Sequence, residues 1–319
     1  MTAIGKRVKG TVGILMLAVF VLLAARFLHG GELSSVMESL LRSPWTLVLM
    51  SLAYALSFYV KAWAWKIYAG AGQPVWKHLA PIGYSLLINH LLPVKAGDLV
   101  RTGLAAKMEG KKYDEALHTV AVMRAMDVSV LALYGVLGLA LLGVAWVPGA
   151  AWLLVPASVL GAVIVLLALR TAARKGSSFA LRQWELLGRL RSGKALAAWL
   201  VTAVSWVLEG FVPYGVLHVL HASVSFVEAV WAGSMTVAGQ IFHVTPGGIG
   251  TYETTMSASL AALGMDGETA LAVAVVSHGY KFLFSFAAGA ISWLILPISW
   301  KEGSGWLSRR RLGKVGPAE

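Results

Sequence analysis

His243-Val-Thr-Pro246-Gly247-Gly248-Ile-Gly250 repeats, 153 residues on (243 − 90), the pattern of His90-Leu-Leu-Pro93-Val-Lys95-Ala-Gly97. The register holds beyond the motif. Thr102 matches Thr255, Ala105 matches Ala258, Glu115 matches Glu268, and Val120-Ala-Val122 matches Val273-Ala-Val275. Isolated Ala or Val matches mean little in so apolar a chain, whereas a shared spacing of His, Pro, Gly and Glu is harder to reach by chance. Each copy is a short apolar segment broken by Pro and Gly and set among long apolar segments. In membrane proteins, interrupted segments at matching places in two halves point to the substrate site.

Composition agrees with that reading. Hydrophobic residues make up 58% of the chain and charged residues 13%, far from the balance of soluble proteins. The apolar runs reach the roughly 20 residues needed to cross a bilayer. The expected architecture is all-α and polytopic, a single integral membrane domain over 1–319. Thr11–Leu28 follows Lys6, Arg7 and Lys9, is too long for a signal-peptide core and has no convincing cleavage site, so it reads as a retained helix. The absence of cysteine excludes disulfides, thiolate chemistry and cysteine metal sites. A net charge of +12 would suggest nucleic acid in a soluble protein. Here the basic residues gather at span ends, where orientation rules place them, and no nucleic-acid partner is expected.

Six segments read as full spans, at about 11–29, 45–69, 114–146, 150–170, 195–220 and 268–299. Two more, about 79–108 and 228–264, are broken into arms too short to cross. The repeat halves are then about 45–146 and 195–299, joined by a basic amphipathic connection at 171–194 and followed by a tail at 300–319. Lys and Arg crowd the N-terminus, the end of the second span, the 170–194 connection and the tail; the 146–150, 219–228 and 263–268 connections have none. The positive-inside rule puts both termini in the cytoplasm of a bacterial inner membrane. Counting crossings, the first broken segment enters from the cytoplasmic side and the second from the outer side. That makes two re-entrant hairpins of an inverted repeat. The 175–192 stretch reads as a helix on the inner surface, and 31–43 as a similar one outside.

Broken backbone at membrane depth survives only inside protein or along a wet cavity. Pro93 and Pro246 each end one arm, and Gly97, Gly247, Gly248 and Gly250 permit a tight reversal. The arm that follows begins a helix whose N–H groups suit an anion such as phosphate; the alternative is a plain packed turn. His90 and His243 recur with the motif and suit bonding to the opened backbone. Charged residues within spans are site candidates by default. Arg124 and Asp127 lie one turn apart and can pair, as can Asp98 and Arg101 beside Asn89 and Lys95. Glu209 lies mid-span beside a Pro213 kink, and Glu253 follows the second glycine turn. Glu253 suits a cationic headgroup or a proton, or else a solvated helix start. His278 and Lys281 share a face of the last span, and Lys281 calls for Glu209 or Glu253 as a partner. Lys61 and Lys66 are expected to snorkel to the interface. The Trp-rich 63–76 and 293–306 stretches read as interface belts. Gly135, Gly138 and Gly143 are assigned to helix packing. No metal, nucleophile or nucleotide motif is present, so neither a catalytic residue nor a cofactor is expected.

Asn89-x3-Pro93-x-Lys95-x-Gly97-Asp98-x2-Arg101, then Arg124 and Asp127, then Pro246-Gly-Gly-Ile-Gly250-x2-Glu253 resembles the lysylphosphatidylglycerol synthase transmembrane region, a flippase-like family. The resemblance covers roughly 10–300. It implies movement of a lipid between leaflets; in bifunctional members a separate cytosolic domain makes the aminoacylated lipid. No such domain follows here, so aminoacyl transfer is not implied. Family members often carry Arg where Lys95 stands, and Tyr280-Lys281 replaces an expected Tyr-Arg pair. Stand-alone relatives accompany glycolipid, hopanoid and polyprenyl-lipid pathways, so the substrate does not transfer with the fold.

The resulting expectation is a non-enzymatic translocase for a lipid with a phosphate-bearing headgroup. The headgroup would pass Arg101, Arg124 and Lys281, with Asp127, Glu209 and Glu253 balancing charge. Its partners would be membrane lipids and a separate lipid-modifying enzyme. Two alternatives stay open: an accessory factor or enzyme of lipid-linked glycan or hopanoid synthesis, and a proton-coupled transporter of small solutes.

Overall fold

A computed structural model describes residues 30–70, 72–92, 96–143, 151–240, 245–298 and 302. The expected span at 11–29, the motif residues Pro93, Lys95 and His243, and the tail from 303 lie outside the described residues. Among the described residues the chain is helical, without strands. The helices are α1 (Gly30–Leu41), α2 (Pro44–Ala69), α3 (Val75–Leu91), α4 (Gly97–Glu109), α5 (Tyr113–Leu141) and α6 (Ala151–Arg174). They continue as α7 (Ser178–Leu187), α8 (Gly193–Glu209), α9 (Phe211–Val219), α10 (Phe226–Gly239), α11 (Thr251–Ala262) and α12 (Gly267–Ile295).

Among the described residues, four stretches are long and apolar enough to cross a membrane: α2, α5, the α8–α9 pair and α12, at 26, 29, 27 and 29 residues. At about 1.5 Å per residue, the shortest of them is about 39 Å long. Their outer faces carry exposed Leu49, Leu52, Leu56, Leu196, Leu200, Leu283 and Leu294, suited to lipid rather than water. The chain is an integral multi-pass membrane protein. α6 occupies the segment expected as a further span. The broken segments are split as expected, into arms of 17, 13, 14 and 12 residues. Arms of about 18–26 Å fall short of the roughly 30 Å hydrocarbon core.

The repeat persists in the fold. Advanced by 153 residues, α4 falls on 250–262 against Thr251–Ala262 of α11, and α5 on 266–294 against Gly267–Ile295 of α12. Packing repeats too. α3 of the first half rests on α12 of the second, α10 of the second rests on α5 of the first, and α2 lies along α8. Small residues allow this approach. Gly83 meets Ser292 and Ala288, Gly289 meets Leu87, and Gly138 meets the Trp231 ring so closely that no Cβ would fit. Gly135 lies under Met235, and its carbonyl accepts from Trp231 Nε1 at 3.3 Å. Gly143 departs from the packing role expected of it: its φ is +61° with open space around it, so it ends α5 rather than seating a neighbour.

Two large apolar cores result, with two smaller clusters around Val100 and Leu104 and around Val130 and Trp206. One core joins α1, α2 and α9–α12 around Met50, Tyr54, Val216, Trp231, Tyr252 and Val273. The other joins α2–α5 and α8 around Trp65, Tyr68, Ala105, Met123 and Ala198. α2 belongs to both, and its Trp65 is fully buried rather than part of an interface belt, although Trp63 and Trp76 are exposed. α1 packs Val36 and Leu40 into the first core and leaves Met37 and Leu41 exposed. The α8–α9 break follows Glu209. Pro213 has no N–H for the Glu209 carbonyl four residues back, and Gly210 admits Val230 to close contact. α7 exposes Phe179, Leu181 and Trp184; its Arg182 pairs with Asp114 at the start of α5, and Arg189 of the turn that follows pairs with Glu115, each at 3.2 Å.

Candidate functional site

The two chain breaks meet. In the first, Asn89 Oδ1 at the end of α3 accepts the Gly97 N–H that opens α4, at 3.0 Å. Gly97 is required there because it lies against the Ser85 carbonyl with no room for a Cβ. In the second, Gly247, Gly248 and Gly250 adopt φ of +65°, +81° and +86°, which side-chain-bearing residues rarely hold. Gly247 faces the first hairpin: a Cβ there would come 3.2 Å from the His90 carbonyl. The His90 ring lies 6.4 Å from that of His278, and its Nδ1 bonds the Leu86 carbonyl at 2.9 Å within its own helix. His90 Nδ1 thus serves the backbone of its own helix.

Around this junction, between the two cores, lies a cavity of about 530 Å³. Its first-half wall is a charged lattice. The Arg124 guanidinium grips Asp98 through Nη2–Oδ1 at 2.8 Å and through Nε, 3.0 and 3.1 Å from the two carboxylate oxygens. It reaches Asp127 more loosely at 3.5 Å. Ser85 also donates to Asp98, at 3.2 Å, and Trp206 Nε1 to Asp127, at 3.0 Å. On the opposite wall Glu209 is shared by two ammonium groups, Lys61 of α2 in close contact and Lys281 of α12 at 3.4 Å. Lys61 lies 3.7 Å over the Trp206 ring, and Lys281 lies 5.3 and 5.7 Å from the Tyr54 and Tyr252 rings.

Arg101 is the exception. It is 5% exposed, its guanidinium stacks on Trp65 at 4.2 Å, and its buried Nε has no hydrogen-bond partner among the described residues. The expected Asp98–Arg101 pair is replaced by Asp98–Arg124, because α5 presents its guanidinium to the start of α4. The described lining holds four cations (Lys61, Arg101, Arg124, Lys281) against three carboxylates (Asp98, Asp127, Glu209), an excess of one positive charge with histidines neutral. Asp98 and Asp127 act on Arg101 without an ion-pair contact, and Arg124 opposes them; a buried cation with no carboxylate in contact is costly. The cavity therefore suits an anionic group.

Glu253 and His278 form a separate tie. Glu253 is neither solvated nor free: it is buried, accepts the Gly250 N–H at 2.7 Å, and lies 2.6 Å from His278 Nδ1. His278 Nε2 is 3.1 Å from the Gly247 carbonyl, and Tyr252 stacks on the ring at 4.3 Å.

Asn89, Asp98, Arg101, Arg124, Asp127, Glu209, His278 and Lys281 thus converge on one cavity, and Glu253 stands behind it. The largest correction concerns Lys61. It does not snorkel; its side chain is 14% exposed and is bonded to Glu209. It stands two turns before the end of α2 at Ala69, a depth its sequence position already signalled. Trp65, Trp206, Tyr54 and Tyr252 line or back the site with no sequence signal beyond aromatic abundance. Among the described residues no cluster of His, Asp and Glu is arranged to hold a metal.

The family model described as the lysylphosphatidylglycerol synthase TM region matches residues 11–289. No curated protein and no solved structure matches the chain.

Proposed function

Since the chain belongs to the lysylphosphatidylglycerol synthase TM region family, we propose that it carries a lipid with an anionic, phosphate-bearing headgroup across the cytoplasmic membrane. Arg101 is the observation that carries this reading. It is a buried guanidinium in a charged cavity where every other described cation has a carboxylate. A phosphate supplies the missing charge and can take paired guanidinium N–H bonds. The lipid tails stay in the bilayer while the headgroup passes between the hairpins. Both termini face the cytoplasm, and the hairpins enter from opposite faces, so the same cavity serves both sides in turn. No covalent step is assigned to the chain; any modification of the lipid belongs to a separate enzyme.

The test is reconstitution of the full chain in vesicles, with a fluorescent anionic phospholipid read by a leaflet-selective quencher. Arg101→Met keeps the stem against Trp65 and removes the charge. It is expected to slow translocation by roughly tenfold to a hundredfold, the scale of a lost charge-assisted hydrogen bond, while thermal unfolding stays unchanged. Equal rates for the variant and the wild type would sink the reading. So would uptake of a soluble solute with no lipid movement, which favours the proton-coupled solute transporter.

A further inference from the structure

We propose that His278 and Glu253 together form a proton-binding site, and that the bound proton clamps the turn of the second hairpin. The argument is a count of donors. The Gly247 carbonyl can only accept, so His278 Nε2, 3.1 Å away, must carry a hydrogen. His278 Nδ1 and Glu253 Oε1 are 2.6 Å apart, which also requires a hydrogen between them. A neutral imidazole facing a carboxylate has one such hydrogen, and the geometry needs two. The pair is therefore imidazolium with carboxylate, or imidazole with carboxylic acid. Both forms hold the same additional proton.

That proton controls both ends of the Gly247–Gly250 break. His278 holds the Gly247 carbonyl, and Glu253 Oε2 holds the Gly250 N–H at 2.7 Å. When the proton leaves, the remaining ring hydrogen can serve only one nitrogen. Either the Gly247 carbonyl or the Glu253 carboxylate then faces a lone pair, and the turn is released. The cavity lined by His278 offers the exit path. The described contacts of the groups facing the pair are made elsewhere. Tyr252 stacks flat on the ring, His90 turns its Nδ1 to Leu86, and Lys281 with Lys61 is drawn to Glu209. Tyr54 lies beyond Lys281. If the chain moves lipid, release of this proton is the step that frees the second hairpin. That last link rests on the translocase reading; the proton site does not.

Glu253→Gln provides the test. The amide carbonyl can accept from Gly250, its N–H2 can donate to a bare Nδ1, and the imidazole keeps its hydrogen for Gly247. The variant is thus clamped with no added proton. The measurement is hydrogen–deuterium exchange of the 245–252 backbone in the full chain in nanodiscs, across a pH series. Dividing wild type by Glu253→Gln at each pH cancels the intrinsic chemistry of exchange. Once the pair begins to lose its proton, the ratio is expected to rise by about tenfold per pH unit, the slope for one released proton. His278→Ala should open the turn at every pH. A flat ratio across the series, with His278→Ala as protected as the wild type, overturns the proposal. So does a histidine 15N spectrum showing Nε2 of His278 without hydrogen at a pH where exchange finds the turn still protected. Neither readout depends on lipid movement, so a failed translocation assay leaves this result standing.

Discussion

The two hairpin breaks share a plan and differ in chemistry. Each places a carboxylate at the start of its second arm and a basic residue on the next long helix: Asp98 with Arg124 in the first half, Glu253 with His278 in the second. Advanced by the repeat offset, Asp98 falls on 251 and Arg124 on 277, two residues and one residue from their counterparts. Arg124 is charged at every accessible pH, and the first turn is closed by the neutral Asn89 amide. The second turn depends on an imidazole. The first hairpin is therefore a fixed wall that also binds charge, and the second is the one able to respond to its surroundings. A duplicated backbone has been given one constant half and one conditional half.

Topology gives that comparison its largest, all-or-none test. If the hairpins enter from opposite faces, as proposed, the α4–α5 connection near Lys112 should face the cytoplasm and the α9–α10 connection near Ala222 should face outward. The chain has no cysteine, so Lys112→Cys and Ala222→Cys report cleanly with a membrane-impermeant maleimide. On intact cells Ala222→Cys should label and Lys112→Cys should not, until the membrane is opened. Labelling of both from one side would make the two hairpins parallel copies and end the comparison.

Next comes the joint between the halves. Glu209 is held by Lys61 from α2 and Lys281 from α12, and all three side chains are largely buried. Removing one partner from a buried ion cluster costs about 3–5 kcal/mol, because the charges left behind have lost their counter-ion. Glu209→Ala leaves two ammonium groups facing each other and is expected to lower the unfolding temperature sharply in detergent. Glu209→Ala with Lys61→Met should recover part of the loss. An unfolding temperature unchanged in Glu209→Ala would mean that the halves are joined by the α2–α8 packing alone.

The sequence made legible what depends on local chain chemistry. The Pro–Gly breaks, the 153-residue register and the isolated charges within apolar runs placed the ends of the described elements within one to five residues. What it could not convey was pairing across helices. Asp98 and Arg101 have the right spacing for one helix face, yet α5 brings Arg124 closer, and a one-dimensional spacing rule cannot weigh a partner 26 residues away. Lys61 was misassigned for a related reason. Snorkelling is an argument about a single helix in lipid, and it fails when a neighbour such as α8 offers Glu209 at the same depth. Trp65 looked like an interface residue until α4 laid Arg101 on its ring.

The finest difference lies where the matched long helices begin. α12 is capped by Asp266, whose Oδ1 accepts the Thr269 N–H at 2.9 Å. The corresponding start of α5, at Lys112, has no side-chain cap. Asp266→Ala is expected to cost about 1 kcal/mol, the usual worth of an N-cap, and Lys112→Ala nothing comparable. The Thr269 N–H holds the Asp266 carboxyl below its ordinary range. A folded-state pKa depressed in this way gives stability that is complete above the unfolded value of about 3.9. That stability is lost as pH falls through the folded value. The gap between wild type and Asp266→Ala should therefore stay constant around neutrality and narrow only in acid. A gap that changes between pH 6 and 8 would show that Asp266 does more than cap α12.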